Sequence, residues 1–153
     1  MSRTDQVLSL FKSHRDITNE LIGKIQPEQE EYQPTPTSMP AKKLAVHILT
    51  TTYKFALVVS SGDPSKFREK LEVPEASLQE LAETFTEKTA ALLQGMSDED
   101  WNRELDLTET FGAKFKASAF IRMGIDHEIH HKGQLFVYVR EMGYTELPFY
   151  MKK

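Results

Sequence analysis

A chain of 153 residues and 17.6 kDa fits one domain of ordinary size and leaves little room for a second core. Nineteen Lys and Arg against 23 Asp and Glu give a net charge of -4, so no cationic field attracts a polyanion, and nucleic acid is not an expected partner. With no cysteine, disulfides, thiolate metal sites and a cysteine nucleophile are ruled out, and site chemistry falls largely to five histidines.

The amino-terminal stretch MSRTDQVLSLFKSHRD is broken by charge every few residues, and no uncharged apolar run reaches the roughly 18 residues of a membrane span. A cytoplasmic protein without membrane attachment is expected. From Asp5 to about Ile25, Val7, Leu10, Phe11, Ile17, Leu21 and Ile22 recur at the period of one helix face. Pro27, Pro34, Pro36 and Pro40 then remove backbone donors, which predicts an irregular crossover as far as Ser38. Ser38 is the expected cap of a second helix carrying Leu44, Ile48, Thr51, Phe55 and Val58, stopped by the run from Ser60 to Pro64. Ser77 and Glu80 have capping-box spacing and open a third helix through Leu78, Leu81, Phe85 and Leu92 to Gly95. Ser97 suits a short helical turn bearing Trp101. Between Leu105 and Phe115 the apolar residues fall mostly on alternate positions, which predicts an extended excursion or small hairpin. The last helix runs from Ser118 to about Met142, ended by Gly143 and Pro148. The fold class expected is an all-α four-helix bundle in a single domain, residues 1–153.

On the last helix, at about 100° per residue, Phe120, Gly124, His127, His131, Gln134 and Tyr138 share one stripe, and Ile121, Ile125, Ile129, Gly133 and Phe136 form a second. So wide an apolar arc predicts a central position or burial against a second copy through Ile125, Ile129 and Gly133. Gly124, one turn before His127, is expected to open space beside the histidines.

His127 and His131 stand at i and i+4, so both imidazoles can address one ion. His127 with His130, at i and i+3, is an alternative pair. However, Asp126 lies four residues before His130 as its expected ion-pair partner, which favours His131 as ligand. His47 on the second helix lies between Leu44, Ile48 and Thr51 and needs a partner if buried. The candidate set is therefore His47, His127 and His131. Three neutral imidazoles suit Zn, Ni, Fe or Mn and leave an open position for water or substrate. Thr50 and Thr51 are candidate lining residues that also fit simple back-bonding. His14 fits a core histidine better than a pocket residue. Glu128 points about 100° from His127 and is given no catalytic role. Trp101, Tyr53 and Tyr138 are aromatic candidates that suit packing equally well.

The segment I-D-H-E-I-H-H-K-G-Q-L-F-V-Y-V-R-E-M-G, residues 125 to 143, resembles the closing helix of the DinB family of metalloenzyme-like proteins. The matching positions are His127, His131, Gly133 and Gln134, with His47 in the second helix. The resemblance spans nearly the whole chain. It implies an up-down-down-up four-helix bundle, a divalent metal held by the three histidines at one end of the bundle cavity, and homodimers. It further implies metal-dependent transfer of a low-molecular-weight thiol such as bacillithiol or mycothiol onto small electrophiles, or metal-dependent hydrolysis. A noncatalytic metal-binding role is the third expectation.

Overall fold

The structure, a computed structural model, describes residues 1–153. Helix α1 spans Arg3–Ile22. It starts ahead of Asp5 because Ser2 caps it: Ser2 Oγ accepts from the Asp5 N–H at 3.0 Å and the Asp5 carboxylate accepts from the Ser2 N–H at 3.3 Å. The proline-rich connection is not wholly irregular, since Pro27–Gln29 makes one 3-10 turn. Helix α2 spans Ala41–Ser61, and Ser38 does not cap it. Pro40 stands at the N-cap without a side-chain acceptor, so the connection supplies backbone instead. The Ala41 N–H donates to the Tyr32 carbonyl (2.8 Å) and the Lys42 N–H to the Glu30 carbonyl (2.9 Å). Ser38 Oγ lies 2.6 Å from Thr35 Oγ1.

Helix α3 spans Leu78–Gln94 with the expected Ser77 and Glu80 capping box, and the short α4, Asp98–Asn102, is boxed in the same way by Ser97 and Asp100. The Trp101 indole donates to Thr4 Oγ1 (2.9 Å), which donates to the Met96 carbonyl (2.8 Å) and ties α4 to α1. The predicted excursion is an antiparallel pair, β1 at Glu104–Leu107 and β2 at Ala113–Lys116, with Leu105 opposite Phe115. A helical turn, α5 at Thr108–Phe111, joins them, and Gly112 at φ 78° makes the left-handed return into β2. Helix α6 spans Ala117–Glu141.

Four long helices make the body: α2 packs on α3 and α6, and α1 packs on α3 and α6. The core has two apolar clusters. One joins Leu21, Ile48, Phe85 and Leu135; the other joins Phe11, Val59, Trp101 and Phe120. Between them along the helices lie buried polar residues: His14, Arg15 and Thr18 from α1, Thr52 from α2, Thr89 from α3, and Glu128, His131 and Lys132 from α6. Helix α2 is long and apolar enough by length and composition to cross a membrane, and half of its most apolar window is buried within the protein.

A candidate metal centre between α2 and α6

α2 and α6 lie side by side and bring His47, His127 and His131 together beside the polar layer. His127 Nε2 is 3.2 Å from His47 Nε2 and 3.1 Å from His131 Nε2. The rings meet edge to face, with centroids 4.4 to 5.0 Å apart. No carboxylate joins the cluster. Two imidazole nitrogens, each about 2.0–2.1 Å from a tetrahedral ion, would lie roughly 3.3–3.4 Å apart. The two separations through His127 are close to that value and all three donors lie within 4.8 Å of one another, so the set can converge on a small divalent ion.

Protonation favours the same chemistry. Burial, followed by the neighbouring His131 and His47 imidazoles, lowers His127 from 6.5 to about 4. Burial also lowers His47, helped by His131 and by the charges of Lys54 and Lys43. Both rings are therefore neutral at pH 7, as a ligand must be. The His131 Nδ1–H donates to Gln134 Oε1 at 2.7 Å, which places the free lone pair on Nε2. Thr51 Oγ1 is 3.4 Å from His47 Nδ1, whereas Thr50 back-bonds to the Val46 carbonyl at 2.8 Å. His127 Nδ1 is buried without a partner. A cleft of about 370 Å³ opens against His131 and Gln134, walled by Tyr138 and by Pro34, Ser38 and Met39 of the proline-rich connection. The Tyr138 hydroxyl donates to the Met39 carbonyl at 2.7 Å.

Other sequence candidates lie elsewhere. His130 is exposed, and Asp126 is paired not with it but with Arg122, whose Nε reaches Oδ1 at 2.9 Å one turn earlier. His14 is a core residue: its Nδ1 accepts from Lys132 Nζ at 2.7 Å, and Lys132 also donates to the Tyr150 carbonyl. Tyr53 packs on Phe85. Gly124 opens no space beside the histidines, because the Phe55 ring fills it; a Cβ there would lie 2.6 Å from Phe55 Cγ. Ile125 faces the protein's own core, and Ile129 is partly buried against the same cluster.

The feature least visible in sequence surrounds Glu128, directly after His127. Arg15 donates through Nε to Oε2 (2.9 Å) and through Nη2 to Oε1 (2.6 Å), while Thr18 donates to Oε2 (3.0 Å) and Thr52 to Oε1 (2.9 Å). Burial pushes the Glu128 carboxyl up, but Arg15 and the two hydroxyls outweigh it and hold the group below the usual range. Arg15 pairs with the Glu128 charge, whose remaining effect on His127 is the smallest of the influences on that ring and opposes its lowering.

These features define a helical protein with a three-histidine group able to hold a metal ion. The chain belongs to the DinB family, whose profile matches residues 1–153. It is 49% identical over 153 residues to YjoA of Bacillus subtilis (strain 168), covering 100% of this chain and 99% of that protein. The crystal structure of YjoA superposes with a TM-score of 0.90, at 49% identity over 97% of this chain and 99% of that one. A DinB family member from Exiguobacterium sibiricum 255-15 shares the fold at 18% identity, with a TM-score of 0.74 over 98% of each chain. A DinB-like protein from Bacillus cereus ATCC 10987 does so at 21% identity, with a TM-score of 0.70 over 95% of each.

Proposed function

We propose that the protein is a metal-dependent enzyme that transfers a low-molecular-weight thiol to small electrophiles, with His47, His127 and His131 as ligands of a divalent ion, Zn or Ni before Fe or Mn. The observation that carries the reading is the convergence of three imidazole Nε2 atoms, without a fourth protein ligand, at the edge of a cleft. Three protein ligands with one open position are the arrangement of catalytic rather than structural sites. When bound, such an ion acts as a Lewis acid and lowers the pKa of a coordinated thiol or water.

The chain's own residues supply orientation and charge. Gln134 fixes His131, burial keeps His127 and His47 neutral, and Lys43 and Lys54 add positive charge that favours an anionic reactant. The chain has no cysteine, so in a thiol transfer the sulfur must come with a substrate. The scaffold we infer is the up-down-down-up four-helix bundle. In its support, one apolar cluster draws on the C-terminal halves of α1 and α6 with the N-terminal halves of α2 and α3, and the other cluster draws on the opposite halves. We also propose a cytoplasmic homodimer through α6, through its exposed Gly133 rather than the buried Ile125.

Protein purified untagged from its host should contain about one transition metal per chain, lost in the His47→Ala, His127→Ala and His131→Ala variants. The metal-loaded protein should then consume bacillithiol or glutathione with chlorinated or epoxide electrophiles. Ester or amide cleavage without thiol turnover would replace transfer by hydrolysis, and absence of metal would remove both.

A further inference from the structure

We propose that Gln134 couples the metal ligand to the bound molecule: its Oε1 sets the His131 tautomer, and its amide hydrogens recognise a carboxylate carried by the molecule in the cleft. The inference rests on the metal-binding reading above and extends it to a residue and a substrate class.

Three observations carry it. First, Gln134 Oε1 can only accept, so its 2.7 Å contact requires the proton on His131 Nδ1 and leaves Nε2 free to bind a metal. Neither other histidine is held so firmly, since His47 Nδ1 has only Thr51 at 3.4 Å and His127 Nδ1 has no partner. Second, the Gln134 side chain is exposed on the cleft wall, and its amide nitrogen makes no hydrogen bond within the chain. The neighbouring Tyr138 hydroxyl is already committed to the Met39 carbonyl. Gln134 therefore presents two free donors next to a ligand. Third, Lys43 and Lys54 make no salt bridge within the chain and act on His47, whereas Glu128, the carboxylate that acts on His127, is paired with Arg15. An acceptor in this cleft is favoured when it is anionic. The substrate class that follows is a small thiol acid, its sulfur at the metal and its carboxylate on the Gln134 amide.

The test uses the full chain with Gln134→Leu and Gln134→Glu, the latter keeping the acceptor and losing the donors. Long-range proton–nitrogen spectra of the metal-free proteins report the His131 tautomer, and Co2+ titration reports affinity. The Nδ1–H form should persist in the unaltered chain and in Gln134→Glu. Gln134→Leu should lose it and bind Co2+ about 10- to 100-fold more weakly. Unchanged tautomer and affinity in Gln134→Leu would overturn the positioning role. On the Co2+-loaded protein, absorbance titrations compare 3-mercaptopropionate with propane-1-thiol. The unaltered chain should prefer the acid by about tenfold, and Gln134→Glu should abolish that preference. A preference unchanged by Gln134→Glu would overturn the recognition role. If the unaltered chain takes up no Co2+, the metal-binding reading fails by itself, and the imidazole spectra alone decide the tautomer assignment.

Discussion

Arg15 and Glu128 form a two-point ion pair that is fully removed from water, 113 residues apart in sequence, with the remaining carboxylate lone pairs taken up by Thr18 and Thr52. Glu128 thereby joins α1, α2 and α6 at the level of the histidines. Removing one partner strands a charge, whereas replacing both by apolar residues need not. Glu128→Ala should cost about 3–5 kcal/mol of unfolding free energy in urea. Arg15→Met combined with Glu128→Leu should cost far less than the single change. Equal losses in the single and double variants would show that the pair is more than a satisfied charge.

The contact between Gly124 and Phe55 gives a second prediction. Gly124→Ala puts a methyl 2.6 Å from Phe55 Cγ and 2.8 Å from Phe55 Cβ, so the ring must move within a packed cluster. Despite the better helix propensity of alanine, a loss of about 1–3 kcal/mol is expected. Phe55→Leu should restore part of it in the double variant. Calorimetry on the four proteins closes the cycle, and a stabilised Gly124→Ala would contradict the packing.

Proton linkage supplies a third. His127 titrates at about 4 in the folded protein against 6.5 in the unfolded chain, and His14 and His47 are lowered too, His14 by burial and then Lys132. A folded pKa below the unfolded one means that the unfolded chain binds more protons through this window. Stability of the metal-free protein is therefore greatest above pH 6.5 and falls as the pH drops towards 4. His127→Gln should flatten the fall between pH 6.5 and 5 when urea midpoints are compared. An unchanged slope in that variant would assign the titration to other groups.

Metal linkage gives the fourth. An ion bound only by the folded state at 100 times its Kd adds about 2.7 kcal/mol. For a chain of this length that is a Tm rise of roughly 5–10 °C. Zn2+ or Ni2+ should produce such a rise, EDTA should reverse it, and His127→Ala should remove it. A rise that survives in His127→Ala would place the ion elsewhere.

Much of this molecule was legible because its signals are local. Ser77 with Glu80 marks a helix start within four residues, and His127 with His131 share a face through helix geometry alone. His47 was recoverable because it interrupts an apolar stripe. Ser38 misled because a backbone cap from Glu30 and Tyr32 leaves no side-chain signature. Gly124 misled because its partner, Phe55, lies 69 residues away and only packing brings it near. Arg15, Glu128 and Lys132 look like surface charges in a one-dimensional pattern. Their burial follows from three helices meeting at one level, which no single helix encodes.

The proline-rich connection has two duties that constrain each other. Its Glu30 and Tyr32 carbonyls cap the start of α2 and its Met39 carbonyl receives Tyr138, while Pro34, Thr37 and Ser38 between these anchors wall the cleft. The anchors are main-chain atoms and are indifferent to side-chain identity. Within this span Gln33 holds the Thr35, Pro36 and Ser38 carbonyls and Thr35 meets Ser38, so Pro34 and Thr37 are the positions at which exchange can reshape what the cleft admits while the helix that carries His47 keeps its cap.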